Sequence, residues 1–176
     1  MRPGRTPERS RRCQKHLNWL YPRLPDKSVC FIFRFRKKPL TIFSFELKTW
    51  PEFCVIKSIA DYAEILQVED LLHCSFHPLR DLARITMPEE KFHAKFGKDF
   101  CMELIRTEDG KAQVQDAINR YFPITPGFFG ASKSKNNEMY LRWGLKSRSN
   151  DEMREDFLAR VTELVEKDFG LKLPKL

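Results

Sequence analysis

The chain has little of what usually announces an enzyme. It contains no G-x-G-x-x-G, no Walker-type phosphate loop and no G-x-S-x-G. Those absences argue against nucleotide-cofactor chemistry on a familiar scaffold and against an elbow-type serine nucleophile. No apolar run approaches the roughly 18 residues of a membrane span, and no secretory h-region follows the N-terminus. Five cysteines are present, odd in number and without a C-x-x-C pair. Cysteines scattered through apolar runs behave as small hydrophobes and favour a reducing compartment. The expectation is an intracellular protein, cytoplasmic or nuclear, with no membrane contact.

What is present suits one packed domain. The 176 residues are 41% hydrophobic and include 15 Phe, enough for a core that needs no disulfide or metal support. The formal net charge is +8, but seven basic side chains against one acid within residues 1–23 account for +6 of it. The pI therefore overstates how basic the folded part is. Residues 1–14 (MRPGRTPERSRRCQ) carry two Pro, one Gly and no apolar periodicity. They read as a disordered basic tail, serving as a solubilising terminus, a nucleic-acid arm, a nuclear address or an organellar presequence. Residues 15–176 read as a single globular domain.

Local patterns then divide the domain into elements. Residues 29–35 (VCFIFRF) and 40–48 (LTIFSFELK) flank a basic turn and alternate with period two, predicting a β-hairpin over 29–48. TWPE (49–52) and TMPE (86–89) both read as capped helix starts, the second opening a helix with Phe92, Phe96, Phe100 and Leu104. Residues 67–85 read as one or two short helices broken near Pro78. Residues 108–110 (EDG) read as the end of the long helix, with a short helix following over 111–122. Residues 138–146 (EMYLRWGLK) alternate like a third strand, and a final helix has Ser149 and Glu152 as a capping box and Gly170 as its stop. The expected class is α+β, a small antiparallel or mixed sheet packed by several helices.

On that reading, Tyr140, Arg142 and Lys146 share one strand face, with Lys133, Lys135 and Arg148 on its flanks and Phe128 and Phe129 nearby. Basic side chains interleaved with aromatics suit a polyanion, since charge contacts phosphate and rings stack on bases. Arg34, Arg36, Lys37 and Lys38 at the hairpin turn form a second basic cluster. The leading expectation is therefore a nucleic-acid-binding domain, with DNA or RNA as partner and no catalysis. The bland alternative for the charged strand is an edge protected against pairing. A second functional reading is a protein-interaction module docking through the aromatic loop 126–130.

Two enzyme-like constellations compete with binding. Pro25-Asp26, nineteen intervening residues and Glu46-Leu47-Lys48 fit the P-D…E-x-K layout of a large Mg²⁺-dependent nuclease superfamily. Asp26 and Glu46 would hold the ion and Lys48 would position the attacking water. HCSFH places His73 and His77 one helical turn apart, with Cys74 adjacent, Asp70 a turn earlier and His93 as a further donor. Pro78 disfavours helix at His77, and no H-E-x-x-H is present, so satisfied or surface histidines are favoured there. No cofactor is favoured, and Mg²⁺ is expected only if the chain is a nuclease.

Overall fold

The computed structural model describes residues 46–176. Five α-helices follow one another: α1 (Trp50–Leu71), α2 (His77–Leu104), α3 (Glu108–Tyr121), α4 (Lys135–Arg142) and α5 (Asn150–Thr162). A 3₁₀ segment, Phe122–Phe129, follows α3, and a π-helical turn, Glu163–Asp168, continues α5. No strand occurs among the described residues. The α+β expectation is thus corrected to an all-helical arrangement of the described residues. The hairpin 29–48 lies outside the described residues up to residue 45, and residues 46–48 have no regular structure.

Helix α1 starts where its sequence says it should. The Thr49 side chain accepts from the Glu52 amide while the Glu52 carboxylate accepts from the Thr49 amide, and Pro51 occupies the first turn. This reciprocal cap satisfies donors that the helix itself cannot. Buried residues ring α1 on most sides, from Cys54 and Val55 through Ile59 and Ala63 to Leu66. A helix apolar over so much of its circumference belongs in the middle of a bundle. It packs on α2 along its length and also meets α3, α5 and the 3₁₀ segment.

Helix α2 departs from expectation. It runs unbroken through TMPE, with Pro78 in its first turn and Pro88 in its interior. Thr86 donates its hydroxyl to the Leu82 carbonyl at 2.9 Å instead of capping a new helix. Pro88 has no N–H to give the Arg84 carbonyl, and packing of Ala83, Met87, Ala94, Gly97 and Cys101 against the rest of the fold carries the helix through. It ends at Leu104, and EDG lies in the first turn of α3, whose N-cap is Thr107.

The core gathers Ile59, Leu66, Val114, Ile118, Tyr121, Met153, Phe157, Val161 and Val165 into one cluster. Ser149 and Glu152 form the expected capping box of α5, and Gly170, at φ 62°, takes the left-handed conformation that lets the chain leave the helix. No described helix is long and apolar enough to cross a membrane.

Candidate metal centre

Helical spacing brings four ionisable side chains into the groove between α1 and α2. On α1, Asp61 and Glu64 stand three residues apart and so share a face. On α2, Glu90 and His93 repeat that spacing, and His93 Nδ1 lies 3.5 Å from Glu90 Oε2. One donor atom each from Asp61, Glu90 and His93 falls within a 4.8 Å cluster. Asp61 is buried, whereas Glu64, Glu90 and His93 are half-buried.

The charge of this groove is poorly balanced by protein alone. Lys57, one turn before Asp61, donates to its carboxylate at 3.0 Å. Three carboxylates thus face one ammonium and one imidazole. Burial pushes the Asp61 carboxyl up, with Lys57 opposing and the Glu90 charge adding. Glu64 is pushed up to about 7, first by burial, then by its hydrogen bond with Glu90 and the charges of Asp61 and Glu90. Glu90 Oε2 is buried without a hydrogen-bond partner among the described residues. A buried carboxylate oxygen that accepts no hydrogen bond is costly unless a proton or a cation meets it, and the basic group facing it is His93 Nδ1 at 3.5 Å.

The donor set fits a transition metal. Carboxylate oxygens with one imidazole nitrogen suit iron, manganese or zinc, and no thiolate takes part. In carboxylate-bridged dimetal four-helix bundles, two helices each supply a carboxylate and two others each supply Glu-x-x-His. Asp61 or Glu64 on α1 and Glu90-Lys91-Phe92-His93 on α2 constitute one of each.

The residues singled out from sequence fall elsewhere, His93 excepted. His73 and His77 are exposed at the α1–α2 turn, and Cys74 is buried. Asp70 is buried, but its Oδ1 accepts from the Ser147 and Arg148 amides at 3.0 and 3.1 Å, a structural use. The Glu90-x-x-His93 pair escapes a search for H-E-x-x-H. The i, i+3 carboxylate–histidine spacing is the signal that finds it. Asp61 and Glu64 become visible only once α1 is seen to pack on α2.

Asp26 and the basic cluster Arg34, Arg36, Lys37 and Lys38 lie outside the described residues. Glu46 and Lys48 are exposed, with the Lys48 amide donating to Glu52 Oε2 at 2.7 Å. The strand expected over 138–146 is instead the end of α4 and the turn after it. The Ser134 side chain accepts from the Asn137 amide to start that helix, and Gly144 at φ 65° turns the chain away. Lys133, Lys135, Tyr140 and Arg142 are exposed around it. Lys146 is half-buried and donates to Asn137 and Asn150 Oδ1 at 3.0 and 2.9 Å. It lines a cavity of about 290 Å³ with Gln67, Asp70, Phe128, Tyr140, Asn150 and Met153. Arg148 binds Asp156 and the Leu66 carbonyl. Two of the supposed phosphate contacts are therefore already committed within the fold. The loop 126–130 is likewise folded inward, with Pro126 and Phe129 buried and Phe129 lying 5.4 Å from the Phe157 ring.

Comparison with known proteins settles the kinship. The model of the phenylacetic acid catabolic protein family matches residues 26–176. One of the component chains of 1,2-phenylacetyl-CoA epoxidase from Escherichia coli (strain K12) is 32% identical over 142 residues, covering 79% of this chain and 46% of that protein. The chain thus spans about half the length of this relative. The match overturns the nucleic-acid-binding and nuclease expectations, and with them DNA or RNA as partner, because the relative is named as part of an epoxidase. Part of the basic and aromatic signal, that over 138–146, was read on a strand where the chain forms the end of α4 and the turn after it. The chain belongs to the phenylacetic acid catabolic protein family.

Proposed function

We propose that this chain is a component of a metal-dependent oxygenase of phenylacetic acid breakdown, with Asp61, Glu90 and His93 holding the metal and Glu64 beside them. The observation that carries the reading is the convergence of donor atoms from Asp61, Glu90 and His93 within 4.8 Å of one another. The family match supports the pathway, and the relative's name supports an aromatic coenzyme A thioester as substrate and other protein chains as partners. An intracellular location follows from the same reading.

The chain's own residues do three things. Asp61 and Glu90 bring negative charge that a divalent cation neutralises. His93 adds a nitrogen donor. Glu64, its carboxyl raised to about 7 by burial and by neighbouring Glu90 and Asp61, would hold a proton at slightly acid pH and release it on cation binding. A redox-active metal held by Asp61, Glu90 and His93 would supply the chemistry with dioxygen.

The test is metal loading. Purified full chain, stripped with chelator and reloaded anaerobically with Fe²⁺ or with Mn²⁺, is expected to retain metal through desalting as measured by plasma mass spectrometry. Asp61→Asn, Glu90→Gln and His93→Ala are each expected to abolish retention while leaving the helical circular dichroism unchanged. Retention equal to wild type in all three variants would overturn the assignment.

A further inference from the structure

The cavity beside α4 is separate from the metal groove, and its walls suit a particular kind of ligand. Amide side chains from Gln67, Asn136, Asn137 and Asn150 line its 290 Å³, with one ammonium, that of Lys146. Leu71, Phe128 and Met153 supply apolar wall between them. A largely apolar cleft with a few placed polar groups is the usual form of a small-molecule site. An ammonium carries three N–H donors. Lys146 gives two of them, to Asn137 and Asn150 Oδ1, and the third has no acceptor among the described residues. The Asp70 carboxylate also lines the cavity. Burial pushes the Lys146 ammonium down from its ordinary value, the Asp70 charge opposes that, and the Arg148 charge adds to it. A carboxylate this near makes the interior a poor place for an anion. A neutral secondary amide fits better. Its carbonyl accepts the third Lys146 proton, its N–H meets a side-chain amide oxygen, and its flanking methylenes lie on Phe128 and Met153.

Resting on the oxygenase reading above, we propose that this cavity receives the amide-bearing pantetheine arm of the coenzyme A thioester, whose phosphates stay outside on Lys133 and Lys135. Gln67 and Leu71 follow Glu64 on α1 at spacings of three and seven residues. The cavity and the metal groove therefore open along one face of that helix. The rise from Glu64 to Leu71 is about 10 Å, less than the length of an extended pantetheine arm. An arm laid along this face points its thioester end toward Glu64 and its acyl group toward Asp61, Glu90 and His93. The other end meets positive charge. Lys133 and Lys135 are exposed and alternate in the chain with Ser134 and Asn136, which line the cavity. Cations thus flank the mouth, whereas Lys146 is the one cation among the lining residues. That division matches coenzyme A, neutral amides in the middle and phosphates beyond them. The basic loop that opens α4 gains a use that involves no nucleic acid.

Equilibrium dialysis of the full chain in chelator, against pantetheine and against coenzyme A, tests this without metal. Both are expected to bind, coenzyme A about tenfold more tightly at low salt, with the gap closing in about 0.5 M NaCl. Changing Lys133→Glu and Lys135→Glu together should remove the advantage of coenzyme A and leave pantetheine binding as it was. Asn136→Trp, made at an exposed position on the mouth, should abolish binding of both with helical circular dichroism unchanged. Lys146→Met should weaken pantetheine about tenfold or more, the effect of losing a charged donor. Coenzyme A binding without pantetheine binding would reduce the site to a phosphate patch and overturn the proposal. So would no binding of either ligand, or binding of both that Asn136→Trp leaves untouched. Metal retention measured on the same preparations separates the two readings. Pantetheine lost with metal retained overturns this inference alone, whereas pantetheine bound by a chain that retains no metal supports the arm site and overturns the metal assignment.

Discussion

Gly97 of α2 sits against the backbone of Ser58 on α1 so closely that a Cβ there would lie 2.4 Å from the Ser58 amide nitrogen. The Lys57 carbonyl carbon and the Cys54 carbonyl oxygen would follow at 2.6 and 2.9 Å. All three are backbone atoms, so no rotamer change relieves the clash, and the helices must move apart. Gly97 lies one turn beyond His93 and opposite the turn that carries Lys57. The spacing of the candidate ligands is therefore set partly by a missing methyl group. Gly97→Ala is expected to cost about 1–3 kcal/mol, the usual range for overpacking, and to weaken metal retention at the same time. Thermal melts and Mn²⁺ titration of this variant measure both. An unchanged melting temperature would mean that the two helices can separate here at little cost.

Glu52 ties the start of α1 to α3. Its carboxylate accepts from the Lys48 and Thr49 amides at 2.7 and 3.2 Å and from Arg120 Nη1 at 2.6 Å. The Lys48 amide is the largest influence holding its carboxyl below the ordinary value of 4.5, with burial opposing. A carboxyl depressed in the folded state contributes stability that is present above the unfolded value and lost as pH falls through the folded one. Glu52→Gln is expected to lower stability at pH 7 by about 1 kcal/mol, as lost caps do, and to flatten the acid limb below pH 4.5. Urea denaturation between pH 3 and pH 7 shows whether the two curves converge at low pH, as they should. Parallel curves would remove Glu52 from the acid response.

Cys54 and Cys101 are fully buried, and burial pushes their thiols up to about 11 and about 12. A thiol reacts as its thiolate, so both should be silent at pH 8 on two counts, access and ionisation. Site-resolved mass spectrometry after brief iodoacetamide treatment is expected to find neither labelled in the native chain and both labelled in denaturant. Native labelling of Cys101 would indicate that α2 opens away from α1.

Helix positions were legible from short-range chemistry, and helix partners were not. The Thr49–Glu52 and Ser149–Glu152 boxes announce themselves because caps are local. TMPE carries the same letters, yet Thr86 and Pro88 lie inside α2, because burial along Ala83–Cys101 outweighs one lost backbone hydrogen bond. The alternation of Met139, Leu141, Trp143 and Leu145 imitates a strand, but it has no buried face behind it: Trp143 is 58% exposed. What holds the segment is a contact that sequence does not display, the Ser75 amide and hydroxyl donating to the Gly144 and Trp143 carbonyls at 2.8 and 2.7 Å. The candidate centre shows the same division. Glu90 and His93 are readable as a pair, whereas Asp61 and Glu64 join them only through the α1–α2 packing that Gly97 permits.

Asp70 and Glu90 are both acids at helix–helix contacts, and they should respond to substitution in opposite ways. Asp70 is 2% exposed and anchors the 147–148 backbone to the end of α1 through Oδ1, while Arg148 Nε approaches that same oxygen to 3.8 Å. Removing it leaves two amides and part of a guanidinium without their acceptor, and breaking such a buried set typically costs about 3–5 kcal/mol. Asp70→Ala is therefore expected to lower the denaturation midpoint substantially while leaving metal retention per folded chain unchanged. Glu90 makes no comparable anchor: its Oε2 accepts no backbone amide and faces His93 Nδ1 at 3.5 Å, and its charge raises the carboxyls of Asp61 and Glu64. Glu90→Gln removes that repulsion, so the metal-free chain should be as stable as wild type or slightly more so, yet unable to hold Mn²⁺. Urea melts and metal analysis on the two variants together separate a scaffold carboxylate from a ligand carboxylate. A Glu90→Gln chain that is destabilised like Asp70→Ala would identify Glu90 as a second scaffold residue.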